Sequence, residues 1–489
     1  MKTQAQINAL KAKQLCYRCV GEAYLKGEML VEGVRRKCSY CGRTAKGYRI
    51  EAMADRIESV FEEHFYRTSD NPDPMQSMML ADRESNYEWD RDGCPVVDAI
   101  ANSADMPEEA ASDIQIVLED KYQDFEAQKM GEETEFADSS NYAERGISDD
   151  RWQEEWVEFE RSLKTEARFY NRVGSAHLKS IFRGIGEMTS VDGRPLIISG
   201  GPGTAIDSFW RARAFQSEDK LKTAMMRPDL HLGPPPSALA AAGRMNAQGV
   251  SVFYGANDPS VAIAEVRPPV GSQVAVVKFE IIREVRLLDL TALVSVAAGG
   301  SIFDPGLSDR LERATFLGSL SARITRPVMP DDQIFEYLPT QAIADYLASG
   351  IEPEIDGILF PSVQADGEVL NVVLFHKAAR VEQLDLPKGT AIEARTGAMY
   401  REGWDPEYVV IEETPPAPKA EAQATSDDSM LHFSGFDLLP WSQSDPDIRQ
   451  PNLRVDLGSM RVHSVERVEF KTTEHPVRRH RWEKRDTEF

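Results

Sequence analysis

Positive charge is scarce in this chain. Lys and Arg number 56 against 80 Asp and Glu, which leaves a net charge of −24. A surface of that sign repels phosphate backbones, so the protein as a whole is no nucleic-acid grip. Long apolar runs are also missing, and none approaches the ~20 residues that a membrane helix needs. The opening Met1-Lys-Thr-Gln-Ala-Gln leads into a polar helical pattern and lacks a hydrophobic signal core. Both absences predict a cytoplasmic protein with no membrane partner. Cysteine is sparse, at five in 489 residues. In a cytoplasmic chain that usage favours metal over disulfides. A phosphate loop is absent too: Gly200-Gly-Pro-Gly lacks the Lys-Ser/Thr ending and reads as a turn.

What cysteine there is falls in a pattern. Cys16-x2-Cys19 and Cys38-x2-Cys41 are separated by eighteen residues, while Cys94 stands alone as a small buried hydrophobe. Each Cys-x2-Cys turn offers two thiolates to one tetrahedral ion. Four thiolates close the coordination sphere and leave no position for water. The expected site is therefore structural Zn2+ rather than catalytic metal. Arg18, Arg35, Arg36, Lys37, Arg43, Lys46 and Arg49 surround it, with Tyr17 and Tyr40 between them. Such a basic knuckle either holds nucleic acid or pairs with neighbouring acid. Residues 1–50 sum to about +8 and residues 51–160 to about −24, and that close opposition favours the second reading. The acidic block itself reads as a solvated helical surface, or as a docking face for a basic partner.

Hydrophobic periodicity divides the remainder. Residues 50–190 read as helical: Met53, Ile57, Val60 and Phe61 share one face, as do Trp152, Trp156 and Phe159. Residues 130–148 are polar and read as a loop. Beyond residue 193 short strands enter, at Leu196–Ser199, Phe209–Phe215, Val250–Tyr254, Gln273–Ile282, Val285–Leu290, Ile355–Pro361 and Val369–Phe375. Helices are expected over Pro259–Val266, Leu307–Leu320 and Gln333–Ser349. The last strand pair is joined by the turn Ala365-Asp-Gly. Residues 414–430 are a Pro- and Ala-rich linker. In the tail of 431–489 the best strand is Val462–Phe470.

The segment Gly243–Glu265 carries the chemistry. It places a cation (Arg244), an aromatic (Tyr254) and a carboxylate (Glu265) at fixed steps on a strand-turn-helix pattern. A guanidinium suits a diphosphate, and Gly243 beside it lets backbone approach a ligand. An aromatic ring suits a flat ring. A carboxylate steadies positive charge on a sugar. Ser362 follows the strand ending at Pro361, where a hydroxyl could bond a phosphate or ribose oxygen. Arg211 and Arg213 alternate onto one face of their strand, and period alone does not separate them. We expect Arg213 to be the second phosphate contact.

These segments, taken with Phe209-Trp-Arg-Ala-Arg, Val252-Phe-Tyr-Gly, Ala262-Ile-Ala-Glu, Leu287-Leu-Asp-Leu, Asp356-Gly-Ile-Leu-Phe-Pro-Ser and Asn371-Val-Val-Leu-Phe, resemble the RES domain over residues about 205–380. That domain is the toxin half of certain bacterial toxin–antitoxin pairs. The resemblance implies an ADP-ribosyltransferase-like fold and an enzyme that destroys NAD at the nicotinamide–ribose bond. NAD is then the substrate, and the acceptor is water, phosphate or a protein group. It also implies restraint, by an antitoxin-like regulatory protein or by the N-terminal domains. Met245 departs from the pattern, standing where relatives carry an aromatic residue. The preceding region resembles the HEPN helical domain. Within it, Arg172-x4-His177 fits the spacing of HEPN ribonucleases, with Val173 where a polar residue is usual. An RNA-binding or ribonuclease function is thus the alternative. His231 and His376 read as structural.

The expected fold class is multidomain α+β. It comprises a small zinc ribbon (residues 1–50), an acidic all-α domain (51–190) and a RES core (195–400). The linker (414–430) and a C-terminal extension (431–489) follow.

Overall fold

The computed structural model describes residues 2–82, 86–362, 369–400, 403–416, 447–469 and 472–482. Most of the expected linker and the turn at residues 365–367 lie outside them. No helix among the described residues is long and apolar enough to cross a membrane. The chain divides into two compact units. One comprises Met1–Arg161, Met188–Arg194 and Ala292–Arg323, and the other Ser162–Glu187, Pro195–Thr291 and Ile324–Phe489.

The first unit opens with the helix Gln4–Lys11, and β1 (Gln14–Cys16), β2 (Val34–Lys37) and β3 (Thr44–Arg49) then form an antiparallel sheet in the order β1-β3-β2. It has no core of its own. Leu15, Val20, Leu25 and Met29 are buried in one cluster with Ile50, Met53, Ile57, Ile100 and Ile114 of the following helices, Ile50–His64, Val96–Ala104 and Glu108–Lys121. The charges meet where Asp113 accepts hydrogen bonds from Lys13 Nζ at 2.5 Å and from Tyr40 Oη at 2.7 Å, and where Lys11 Nζ lies 3.9 Å from Asp120. Trp152, Trp156 and Phe159 are buried as their spacing predicts, and Trp152 stacks on Phe316 at 5.7 Å.

The region expected to be wholly helical is not so. β4 (Phe65–Arg67), β5 (Cys94–Pro95) and β6 (Asn141–Glu144) form a second sheet in the order β4-β6-β5. β6 lies in the stretch read as a polar loop. Its Tyr142 is buried against Phe61 and Phe136, at ring separations of 5.0 and 5.4 Å. Aromatic burial outweighs the polar flanks there.

The second unit is built on one mixed sheet of eight strands. These are β7 (Ile197–Gly200), β8 (Ser208–Phe215), β9 (Phe253–Ala256), β10 (Gln273–Ile281), β11 (Val285–Asp289), β12 (Gly357–Pro361), β13 (Leu370–Leu374) and an edge strand from the tail. Between β13 and that edge strand lie two hairpins, β14 (Ala391–Arg395) with β17 (Val409–Glu413), and β15 (Ala398–Tyr400) with β16 (Gly403–Asp405). The edge strand is β18 (Leu453–Ser464). It is longer than the expected Val462–Phe470 and begins earlier, because Leu453 and Val455 are buried in the core. The sheet order is β18-β10-β8-β9-β13-β12-β11-β7, and only β11 and β12 run parallel. β10 is buried on both faces, as its nearly unbroken apolar run requires. Ala275, Val277, Phe279 and Ile281 enter one cluster. Val274 and Val276 enter the other, with Val261 and Ala262 of the helix Pro259–Glu265. That helix is thus pinned to the sheet, and its last residue stands beside β13.

Candidate functional site

Glu265 ends its helix, where the backbone dipole disfavours a negative charge. Two donors offset this. Ser362 Oγ, just past β12, donates to Glu265 Oε1 at 2.9 Å, and Asn371 Nδ2, in β13, donates to the same oxygen at 2.6 Å. Each bond to a charged acceptor is worth ~1.5–3 kcal/mol. Oε2 carries no hydrogen bond among the described residues. The helix start is fixed by Pro259 at its first position and by Asp258, which accepts from the Ser260 amide at 2.8 Å.

Arg244 is held by a tight turn. Gly243 and Asn246 bridge across it, and Asn246 Nδ2 donates to the carbonyls of Ala241, Val250 and Ala247. Gly243 admits no side chain, since a Cβ there would lie 2.5 Å from Asn246 Oδ1 and 2.9 Å from the Tyr254 hydroxyl. The helix Leu338–Ser349 braces the turn: Thr340 Oγ1 donates to the Arg244 carbonyl at 2.6 Å, and Gln341 Nε2 to that of Gly243 at 2.8 Å. The Arg244 guanidinium lies over the Tyr337 ring at 5.1 Å and donates to the Ile324 carbonyl at 2.8 Å.

Tyr254, in β9, gives the site a ring and not a free hydroxyl. Its oxygen accepts the Met245 amide at 3.1 Å and donates to Asn246 Oδ1 at 3.0 Å. Burial pushes its pKa up to about 12, so it stays neutral at physiological pH. Arg211, in β8, donates to the Tyr254 carbonyl and lies over the Phe253 ring at 5.2 Å. Burial first, and then the charge of Arg213, hold its guanidinium down at about 10.

Arg211, Arg244, Tyr254, Glu265 and Asn371 line a single cavity of about 320 Å³, within the range of small-molecule sites. Arg213 does not. Its side chain donates to the His231 carbonyl at 2.6 Å, so strand alternation alone did not identify the arginine at the cavity. Ser362 reaches the site through Glu265. Arg267 was not singled out in the sequence, yet it lines the same cavity, with a left-handed φ of 44°. Arg211, Arg244 and Arg267 have no carboxylate partner among the described residues. A cleft in the first unit, lined by Phe61, Tyr142 and Arg67, differs in this respect. There Arg67 is paired with Glu133 at 3.1 Å and Glu135 at 3.2 Å. Three arginines without a carboxylate partner among the described residues thus line the cavity together with one tethered carboxylate. Met245, the departure from the family pattern, is buried at the turn.

Cys16, Cys19, Cys38 and Cys41 form a second site in the other unit, with sulfur atoms all within 4.8 Å of one another. Individual separations are 3.6 Å (Cys16–Cys41), 3.8 Å (Cys16–Cys19) and 3.9 Å (Cys19–Cys38). A tetrahedron with ~2.3 Å metal–sulfur bonds has edges of ~3.8 Å. Four close cysteines could thus hold a metal ion. Arg172 is exposed at the start of its helix, and His177 is buried with Gly174, Leu178 and Ile181.

Residues 208–395 match the family model of the RES domain. The chain carries a RES domain. Every residue that lines the cavity falls inside the matched span, whereas the four cysteines and β18 fall outside it. No curated protein and no solved structure matches the chain.

Proposed function

We propose that the RES domain binds NAD in this cavity and cleaves its nicotinamide–ribose bond. One observation carries the reading: unpaired Arg211, Arg244 and Arg267 surround a carboxylate, Glu265, that Ser362 and Asn371 tether by one oxygen. The arginines suit the diphosphate. The Tyr254 ring faces the nicotinamide. As the C–N bond breaks, its electron pair leaves with neutral nicotinamide and positive charge develops on the ribose. Glu265, fixed through Oε1, opposes that charge without having to reorganise. The acceptor is water, phosphate or a protein side chain. The fold of this core is read as ADP-ribosyltransferase-like.

The four cysteines are read as a structural zinc ribbon, in which the thiolates Cys16, Cys19, Cys38 and Cys41 complete the coordination. An enzyme of this kind harms its own cell. We therefore read the acidic N-terminal region, or an antitoxin-like protein, as its restraint. The side chains of β2 are all exposed, with Arg35, Arg36 and Lys37 in series. That edge favours a second reading of the ribbon as a nucleic-acid contact, tested by salt-dependent RNA binding lost in Arg35→Ala/Arg36→Ala.

The test of the main reading is release of nicotinamide from NAD by purified protein, with and without phosphate. Glu265→Gln keeps the shape and removes the charge, and it should lower turnover about 10²–10³-fold.

A further inference from the structure

Asn371 is a polar residue in an apolar strand. Val372, Val373 and Leu374 follow it in β13 and are buried, and Asn371 itself is 5% exposed. A carboxylate offers lone pairs and no proton. The amide nitrogen of Asn371, and not its oxygen, must therefore face Glu265 Oε1, 2.6 Å away. The amide oxygen is left over. It is buried and has no hydrogen-bond donor among the described residues, although Asn371 lines the cavity. Buried acceptors are seldom left in this state, and such a group calls for a donor that the folded chain itself does not supply.

Glu265 Oε2 likewise takes no hydrogen bond among the described residues, since both described donors go to Oε1, but Glu265 itself is exposed. Two side chains that line the cavity and touch each other thus each keep an acceptor with no described donor, Asn371 Oδ1 buried and Glu265 Oε2 on an exposed residue. A ligand that satisfies both presents two donors on adjacent atoms, and a vicinal diol does so. We propose that Asn371 Oδ1 accepts one hydroxyl of the nicotinamide ribose while Glu265 Oε2 accepts the other, so that Asn371 determines specificity for the intact sugar. The inference rests on the NAD reading above.

The experiment compares NAD with its 2′-deoxy and 3′-deoxy analogues, altered on the nicotinamide ribose. Nicotinamide release is measured as kcat/KM for wild type, Asn371→Ala and Asn371→Leu. Each analogue's intrinsic lability cancels when its preference ratio is compared between wild type and variant. The preference for NAD over one of the two analogues should shrink about tenfold or more in both variants, and the preference over the other should hold. A residue that only supported the fold would slow all three substrates equally. Equal preference ratios in wild type and both variants overturn the inference and leave the NAD reading standing. Calorimetric binding of ADP-ribose and its corresponding deoxy forms provides the same ratios without turnover. If wild type releases no nicotinamide but its ADP-ribose preference depends on Asn371, the diol assignment stands and the cleavage reading falls. If ADP-ribose does not bind, both fall.

Discussion

The Tyr254 hydroxyl donates to Asn246 Oδ1 at 3.0 Å while accepting the amide of Met245 at 3.1 Å. The aromatic of the site is thereby fastened to the turn that presents Arg244. Tyr254→Phe keeps the ring but leaves the Met245 amide and Asn246 without these bonds. We expect a stability loss of ~1–3 kcal/mol and a raised KM for NAD, with kcat less affected. The hydroxyl's pKa lies near 12, above its ordinary value near 10. Its contribution to stability is therefore complete below pH ~10 and is lost as pH rises toward 12. Between pH 6 and 9 the pH profiles of wild type and Tyr254→Phe should superimpose. A pH-rate limb in that range that disappears in the variant would show the hydroxyl to be a working acid or base.

Gly243→Ala tests the same turn from its other side. The new methyl would meet Asn246 Oδ1 at 2.5 Å, and the turn must open. Thermal unfolding should fall by a few degrees and NAD affinity should drop with it, in line with an overpacked site costing ~1–3 kcal/mol. Unchanged stability would mean that the turn has room for a methyl group beside Asn246.

Arg267 keeps a left-handed backbone at φ 44°, a conformation that costs a non-glycine side chain roughly 1 kcal/mol or more. Arg267→Gly removes both the strain and the cation. We predict a higher Tm together with weaker binding of ADP-ribose by calorimetry. A lower Tm with unaltered binding would make Arg267 a fold residue only.

The zinc reading predicts about one zinc per chain by elemental analysis, all of it bound by four thiolates. Chelation, or Cys38→Ser, should lower the Tm of the first unit, because Leu15 and Val20 beside the knuckle are buried in the main core of that unit. Metal-free protein with an unaltered unfolding curve would contradict this.

Much of the architecture could be read from local pattern. β8, β10, β12 and β13 follow their apolar runs, and the knuckles follow Cys-x2-Cys. Arg244, Tyr254 and Glu265 line one cavity because a single strand-turn-helix segment carries all three. What could not be read depends on distant pairing. β6 is a strand because Phe65–Arg67 and Cys94–Pro95 lie alongside it, and nothing within residues 130–148 announces that. β18 is defined by β10, some 180 residues earlier in the chain. Arg211 and Arg213 share a strand face, yet Arg213 turns to the carbonyl of His231, outside the strand. Asn371 did leave a trace, as an amide opening the run Asn371-Val-Val-Leu-Phe, but its meaning required Glu265 beside it. Arg267 left none, since a positive φ at an arginine has no sequence signature.

The proposed cleavage depends on Glu265. The most direct measurement is free nicotinamide released from NAD by wild type and by Glu265→Gln, with folding of both confirmed by circular dichroism. Release by wild type and a loss of about 10²–10³-fold in the variant at unchanged fold are expected. Equal release by the two proteins, or none by wild type with water, phosphate or a protein acceptor present, would contradict that reading.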